Sequence, residues 1–212
     1  MVERDKRKSL DMTIFEKREY SKGYKLLAGI DEAGRGPLAG PVVASAVILP
    51  KDYFNPEIKD SKKLTVKKRE VLFDEIRKRA VAIGIGIVKE DIIDEINILQ
   101  AALLAMRKAV MDLSITPDSL LIDALSLSQI DIPQQAIIKG DSLSLSIASA
   151  SIIAKVTRDR LMTDFHYTYP RYNFLSNKGY GTREHIQNLK EYGPCKIHRK
   201  TFRGVLNNEP HK

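Results

Sequence analysis

The chain has no run of eighteen apolar residues, one cysteine among its 212 residues and only four histidines. Each shortage removes a class of protein. No segment is apolar enough to span a bilayer, and the opening MVERDKRKSLDMT is too charged for a signal peptide, so the expected location is the cytoplasm. Cys195 alone closes no internal disulfide, and no motif around it marks a catalytic thiol. His166, His185, His198 and His211 show no spacing with cysteine or acids that suits zinc, and each is expected to be an ordinary surface or capping residue. Internal repeats are absent as well.

What is present describes an ordinary folded chain. A hydrophobic fraction of 43% and a charged fraction of 29% argue against disorder, and the length suits one domain with at most a small appendage. Lys plus Arg number 35 against 27 acids, a net +8 that favours an anionic partner. From Arg171 to Arg203 eight basic residues, among them Lys178, Arg183, Lys190 and Arg199, face only Glu184 and Glu191. Most of the surplus charge therefore lies in one segment.

The order of elements predicts an α/β fold. A polar segment, 1–25, holds a short helix around Ile14 and Phe15. Leu26–Asp31 and Val42–Leu49 read as paired strands, the second a nearly continuous apolar run between Pro41 and Pro50. Thr65 caps a helix reaching Ala80, and the β-branched run Val81–Val88 follows. Asn97–Leu113 is helical, Leu120–Asp123 and Ala136–Ile138 are short strands, and Ser146–Phe165 is a long Ala- and Ile-rich helix. A last helix, Thr182–Tyr192, closes at Gly193 and Pro194. Strands first paired and then alternating with helices imply a mixed sheet covered by helices.

Four acids stand where apolar segments end. Asp31 and Glu32 follow Leu26–Ile30, Asp123 follows Leu120–Ile122, and Asp141 comes soon after Ile137 and Ile138. A single acid at a strand end is usually a cap or the partner of a nearby arginine. Three such strand ends side by side would gather four carboxylates, whose mutual repulsion calls for hard cations between them. Oxygen ligands alone suit magnesium or manganese rather than zinc. A pair of such ions about 4 Å apart is the arrangement that cleaves phosphodiesters, which in a basic chain points to a nuclease.

The segment DEAGRGPLAGPVVASAVIL, 31–49, resembles the first signature of ribonuclease HII, the type 2 ribonuclease H family. DSKKLT at 60–65, Asp123, KGD at 139–141, SASIIAKVTRDR at 149–160 and KGYGTREH at 178–185 fall in that family's order and spacing. The resemblance implies a ribonuclease H-like fold with a five-stranded mixed sheet and a small C-terminal helical extension. It divides the chain into the polar segment 1–25, a catalytic domain 26–168 and a basic substrate-binding extension 169–212. It places two divalent cations, Mg2+ or Mn2+, on Asp31, Glu32, Asp123 and Asp141, the acids already singled out, with Asp31 bridging. It also sets Gly34, Arg35 and Gly36 against the ribonucleotide, where glycine lets backbone approach closely. Ser61, Lys62 and Lys155 match positions near the substrate, although a helix lysine is more often simply solvated. Tyr180 matches a tyrosine that stacks under the deoxyribose after the ribonucleotide and so detects an RNA-DNA junction. Gly181 stands where many relatives have proline, which implies a less preorganised loop.

The implied activity is endonucleolytic hydrolysis of the RNA strand of RNA-DNA hybrids, and of duplex DNA 5′ to embedded ribonucleotides, leaving 5′-phosphate and 3′-hydroxyl ends. The basic extension, with Tyr169, Tyr172, Phe174, Tyr180, Tyr192 and Phe202, would be the duplex-binding arm rather than a helical cap over the core. Two alternatives stay open. A non-catalytic nucleic-acid-binding module would explain the charge but not the acids, and another metal-dependent nuclease of this fold would share the acids but not Gly34–Gly36. Type 3 ribonuclease H carries a further N-terminal domain, for which the residues before the first strand leave little room. A monomer is the default expectation, and a replication clamp as partner is left undecided.

Overall fold

The computed structural model describes residues 11–59 and 61–206. Helix α1 (Ile14–Ser21) precedes strands β1 (Leu27–Ala33) and β2 (Val42–Ile48). Helix α2 (Val66–Arg79), strand β3 (Ala82–Val88) and helix α3 (Glu90–Met111) follow, then strands β4 (Ser119–Asp123) and β5 (Gln134–Ile137). The chain continues through α4 (Leu145–Thr168), the one-turn α5 (Phe174–Asn177) and α6 (Arg183–Tyr192). The five strands lie in the order β3-β2-β1-β4-β5. β1 pairs antiparallel with β2 and parallel with β4, and β4 pairs parallel with β5. The sheet is mixed, with β1 at its centre.

Every residue of β2 is buried because helices cover both faces. On one face Ala44, Ala46 and Ile48 join Ala101, Ala105 and Ala109 of α3, and on the other Val47 joins α2 and α4. Close approach is set by glycine. A Cβ on Gly29 would lie 2.1 Å from the Ser146 carbonyl carbon, and one on Gly86 would lie 1.9 Å from the Ala105 oxygen. Helix α4 can therefore lie directly on the centre of β1, which fixes the height of the acids further along that strand.

Local capping follows the sequence. Thr65 Oγ1 accepts from the Lys68 amide at the start of α2, and Ser144 Oγ accepts from Ile147 at the start of α4. Helix α1 is tied to that same terminus: buried Glu16 accepts from the Ser146 amide at 2.9 Å and from the Ser144 hydroxyl at 2.6 Å, an anion placed at a helix N-terminus.

Three expectations need correction. α3 begins at Glu90, seven residues before the expected Asn97; there the chain turns through φ 66 and the Asn97 side chain caps the next turn by accepting from Leu99 and Gln100. The sequence pattern caught only the portion after that kink. β1 runs two residues past the expected end at Asp31, to Ala33, so Glu32 as well as Asp31 lies within the strand. β5 starts at Gln134 and ends at Ile137; Ile138 is 77% exposed, Lys139 is left-handed, and Asp141 sits in the 3-10 turn Gly140–Ser142 rather than at a strand tip.

Gly29→Ala is expected to lower stability by about 3 kcal/mol in urea denaturation, because the clash is with backbone and no side chain can rotate away. A loss below about 1 kcal/mol would show that β1 and α4 separate easily.

Candidate active site

The strand order brings the four acids to one end of the sheet. Asp31 and Glu32 are on central β1, Asp123 ends neighbouring β4, and Asp141 occupies the turn after β5. The Gly140 amide donates to Asp123 Oδ1 at 2.7 Å, which ties β4 to the turn that carries Asp141. Asp31 is 4% exposed and Asp141 5% exposed. Asp31 Oδ1 accepts from the Glu32 amide at 2.7 Å, and Lys62 Nζ lies 3.3 Å from Asp141 Oδ2. Arg35 Nη1 donates to Glu32 Oε1 at 3.2 Å, while Glu32 Oε2 is buried with no hydrogen-bond partner among the described residues.

Asp31, Glu32 and Asp123 resist ionisation. Burial, reinforced by the Glu32 charge, raises the Asp31 pKa well above the usual range, despite a hydrogen bond from Ser151. Burial also raises Glu32 against the pull of Arg35, and raises Asp123, where the Asp141 charge adds to the effect. Among the described residues no three carboxylate, imidazole or thiol groups are arranged, as they stand, to hold a metal ion. The acids meet as mutually repelling neighbours around an open site.

Beside them the loop from Gly34 to Pro41 is held by two buried guanidinium groups. Arg199 donates to the carbonyls of Gly34 (2.6 Å), Arg35 (3.0 Å), Pro37 (2.8 Å) and Gly40 (2.8 Å). Arg158 donates to Pro41 (2.9 Å), Ala39 (3.1 Å) and Lys178 (3.0 Å). Among the described residues neither pairs with a carboxylate. Burial lowers Arg158 to about 10 and, together with the charge of Arg158, lowers Arg199 to about 9, so both stay charged at neutral pH. Gly34, at φ +98, has no room for a side chain: its Cβ would lie 2.1 Å from Arg158 Nε.

Glu32, Gly34, Arg35, Gly36, Ser61, Lys62, Ser151, Lys155 and Tyr180 line one groove. Every substrate position expected from the sequence is among them. Ser61 is buried and bonds Ser151 at 2.9 Å, which seats its loop on α4. Lys155 bonds Asp159 at 2.7 Å and lies 5.9 Å from the Tyr180 ring centre. Tyr180, 44% exposed, stands over Gly36. Asp60, beside this loop in sequence, lies outside the described residues. Gly181 does not leave the Tyr180 loop unsupported, since Tyr180 donates to Asn177 and its carbonyl accepts from Thr182 and from the His185 ring.

Two groups of residues were misjudged from sequence. His185 and His198 are buried and bonded to each other, not surface or capping residues, and His211 lies outside the described residues. Arg199 is fully buried, so it does not belong to a duplex-facing surface, and Tyr172 and Phe174 pack with Leu189 and Ile197 in a small core. The extension is thus partly the helical cap that the sequence reading had set second. Arg158 sat within SASIIAKVTRDR, but nothing in its spacing marked it as buried.

A mixed sheet bearing buried acids beside a glycine loop defines a hydrolase of the ribonuclease H kind, a nuclease. A family model described as Ribonuclease HII matches residues 28–205. A ribonuclease HII of Syntrophus aciditrophicus is 58% identical over 194 residues, 92% of either chain. The solved ribonuclease H2 of Pyrococcus horikoshii OT3 superposes with a TM-score of 0.74 at 27% identity, covering 87% of this chain and 97% of that one. Bst-RNase HIII in complex with Mn2+ shares the fold, with a TM-score of 0.72 at 17% identity over 86% of this chain and 68% of its own. The chain belongs to the ribonuclease HII family, the type 2 ribonuclease H endonucleases. A non-catalytic binding module is thereby excluded.

The raised Asp31 pKa has a consequence for stability. A carboxyl whose folded pKa exceeds its unfolded value, near 4, favours folding only at low pH and opposes it once ionised. In metal-free buffer at pH 7, Asp31→Asn is therefore expected to raise Tm by roughly 2–6 °C, a gain that closes as pH falls towards 4. An unchanged or lowered Tm would show that Asp31 is not held at an electrostatic cost.

Proposed function

We propose that this enzyme hydrolyses the phosphodiester 5′ to a ribonucleotide, in RNA-DNA hybrids and in duplex DNA with embedded ribonucleotides, leaving 5′-phosphate and 3′-hydroxyl ends. The observation that carries this is the acid site itself: carboxyls with raised pKa beside an unpartnered buried oxygen, Glu32 Oε2. That donor set fits hard divalent cations, Mg2+ or Mn2+, because it holds only carboxylate oxygens and its repulsion is relieved by positive charge. Asp31, Glu32, Asp123 and Asp141 would hold two such ions. When bound, these cations lower the pKa of an attacking water and stabilise the leaving 3′-oxygen.

The chain's own groups supply position and charge. Gly34 and Gly36 let the loop backbone approach the ribose, and Arg158 and Arg199 beneath keep that backbone in place. Arg35 and Lys62 offer cationic groups at the groove, each now beside an acid, and Lys155 flanks Tyr180. Tyr180 presents a ring on which a sugar lacking its 2′-hydroxyl can pack. On this reading residues 26–168 form the catalytic domain, and the part of the extension that meets the duplex is the exposed face of α6, with Arg183, Gln187 and Lys190. Among the described residues no helix is long and apolar enough to cross a membrane, and the reading places a monomer in the cytoplasm.

Asp31→Asn keeps the side-chain size and removes the charge. At saturating Mg2+ it is expected to abolish cleavage of a duplex carrying one ribonucleotide, while retained turnover would refute the metal-site reading. Deleting the extension is not a clean test, because it removes Arg199 from under the loop. Arg183→Ala with Lys190→Ala is the better probe. The double variant is expected to bind hybrid more weakly and to lower the slope of log affinity against log salt by about 1–2; an unchanged slope would place the duplex elsewhere.

A further inference from the structure

His185 and His198 take no part in the chemistry above, yet they form a buried pair directly behind Tyr180. Their Nε2 atoms are 2.9 Å apart, with both rings enclosed by Tyr172 and Phe174. The far nitrogen of each ring meets a backbone group that can play only one role. The Tyr180 carbonyl, 2.9 Å from His185 Nδ1, can only accept, so that nitrogen carries a proton. The Cys195 amide, 2.9 Å from His198 Nδ1, can only donate, so that nitrogen is bare, and the Cys195 thiol, 3.1 Å from the same nitrogen, can donate to it as well. Neutral His198 then holds its proton on Nε2, aimed at the unprotonated Nε2 of His185.

The hydrogen bonds therefore run one way, from the Cys195 amide through His198 and His185 to the Tyr180 carbonyl. A second proton on either ring would set donor against donor, at the shared Nε2 contact or at Cys195. Burial draws both imidazoles down, His198 to about 4 with the charge of His185 adding to the effect, so both are neutral at pH 7; Glu184 pulls His185 the other way, but less strongly than burial. The backbone follows the same route. Leu38 donates to Gly179, Gly40 donates to Ile197, and Arg199 donates to Leu38, stitching the Gly34–Pro41 loop to both ends of the relay. Two consecutive residues thus divide the work: His198 supports the Tyr180 loop and Arg199 the glycine loop.

We propose that His185 and His198 are positioning residues whose one-way relay, anchored at the Cys195 amide, holds Tyr180 over Gly36 and so sets the enzyme's preference for cutting at an RNA-DNA junction. This rests on the reading that Tyr180 packs under the deoxyribose that follows the ribonucleotide. A relay of fixed direction suits the task because neither ring can flip or exchange tautomer without losing a buried hydrogen bond. The sugar contact is then held by a rigid support rather than by the loop alone.

Two measurements on the full-length enzyme test this. Long-range 1H-15N spectra at pH 7 are expected to show His198 as the Nε2-H tautomer and His185 as the Nδ1-H tautomer, and the reverse pair would overturn the relay. Cut positions are then mapped on a DNA duplex carrying four consecutive ribonucleotides. Loss of folded enzyme lowers all cuts in that tract alike, whereas a displaced Tyr180 redistributes them. His185→Phe keeps the ring and removes the donor, and is expected to lower the ratio of junction to internal cuts about tenfold. His185→Asn, whose amide can stand in for Nδ1, is expected to hold the ratio within about threefold of the parent. Should His185→Phe not fold, His198→Phe, which frees the His185 tautomer, is read in its place and is expected to lower the same ratio. An unchanged ratio in the Phe variant, alongside a lowered one in Tyr180→Ala, overturns the relay. An unchanged ratio in Tyr180→Ala itself overturns the stacking reading, and the proposal with it.

Discussion

Two buried guanidinium groups, without a carboxylate partner among the described residues, set the geometry on which this site depends. Arg158 and Arg199 direct their donors at backbone carbonyls between Ala39 and Pro41 and between Gly34 and Gly40, respectively. A carboxylate partner would have neutralised them. Carbonyl dipoles satisfy the hydrogen bonds and leave the charge in place beneath the loop, with Asp159 acting on Arg158 and Glu90 and Asp94 acting on Arg199 only through space. Lysine cannot substitute at either position, since one ammonium does not span carbonyls that a planar fork reaches together.

Opposite this positive floor stands the acid cluster. Burial and mutual repulsion oppose ionisation of Asp31, Glu32 and Asp123, so the folded chain carries an electrostatic strain that only positive charge relieves. Arg35 and Lys62 relieve part of it from the groove side. The same arrangement explains why the sheet beneath must be stiff. Gly29 brings α4 onto β1, Ser151 of α4 reaches Asp31, and Ser61 reaches Ser151, so packing in the core fixes the acids rather than any flexible side chain.

The groove joins these two electrostatic halves. Glu32 and Lys62 stand at its acidic end, Gly34–Gly36 form its wall, and Tyr180 closes the far side. Its far wall is built from residues distant in sequence, and the order β3-β2-β1-β4-β5 makes this arrangement possible by placing β1 centrally, with parallel β4 and β5 delivering their following turns to the same end.

Much of this was legible in the sequence, for local reasons. An apolar run ending in acid, a Thr cap before a helix, and the Gly-Arg-Gly segment each signal through near neighbours. Asp31, Glu32, Asp123 and Asp141 could therefore be singled out as acids that the fold carries to one end of the sheet, even though Asp141 proved to sit in a turn. The turns of α3 before Asn97 escaped because the left-handed residue there interrupts the helix whose pattern the sequence reading followed. What only the tertiary structure decided was which charged and aromatic residues turn inward. Arg199 meets carbonyls 159 to 165 positions away, Arg158 meets others 117 to 119 away, and His185 on α6 meets His198 13 positions on, past the end of that helix. No periodicity links such partners, because whether a guanidinium or an imidazole is buried depends on acceptors delivered by another part of the chain.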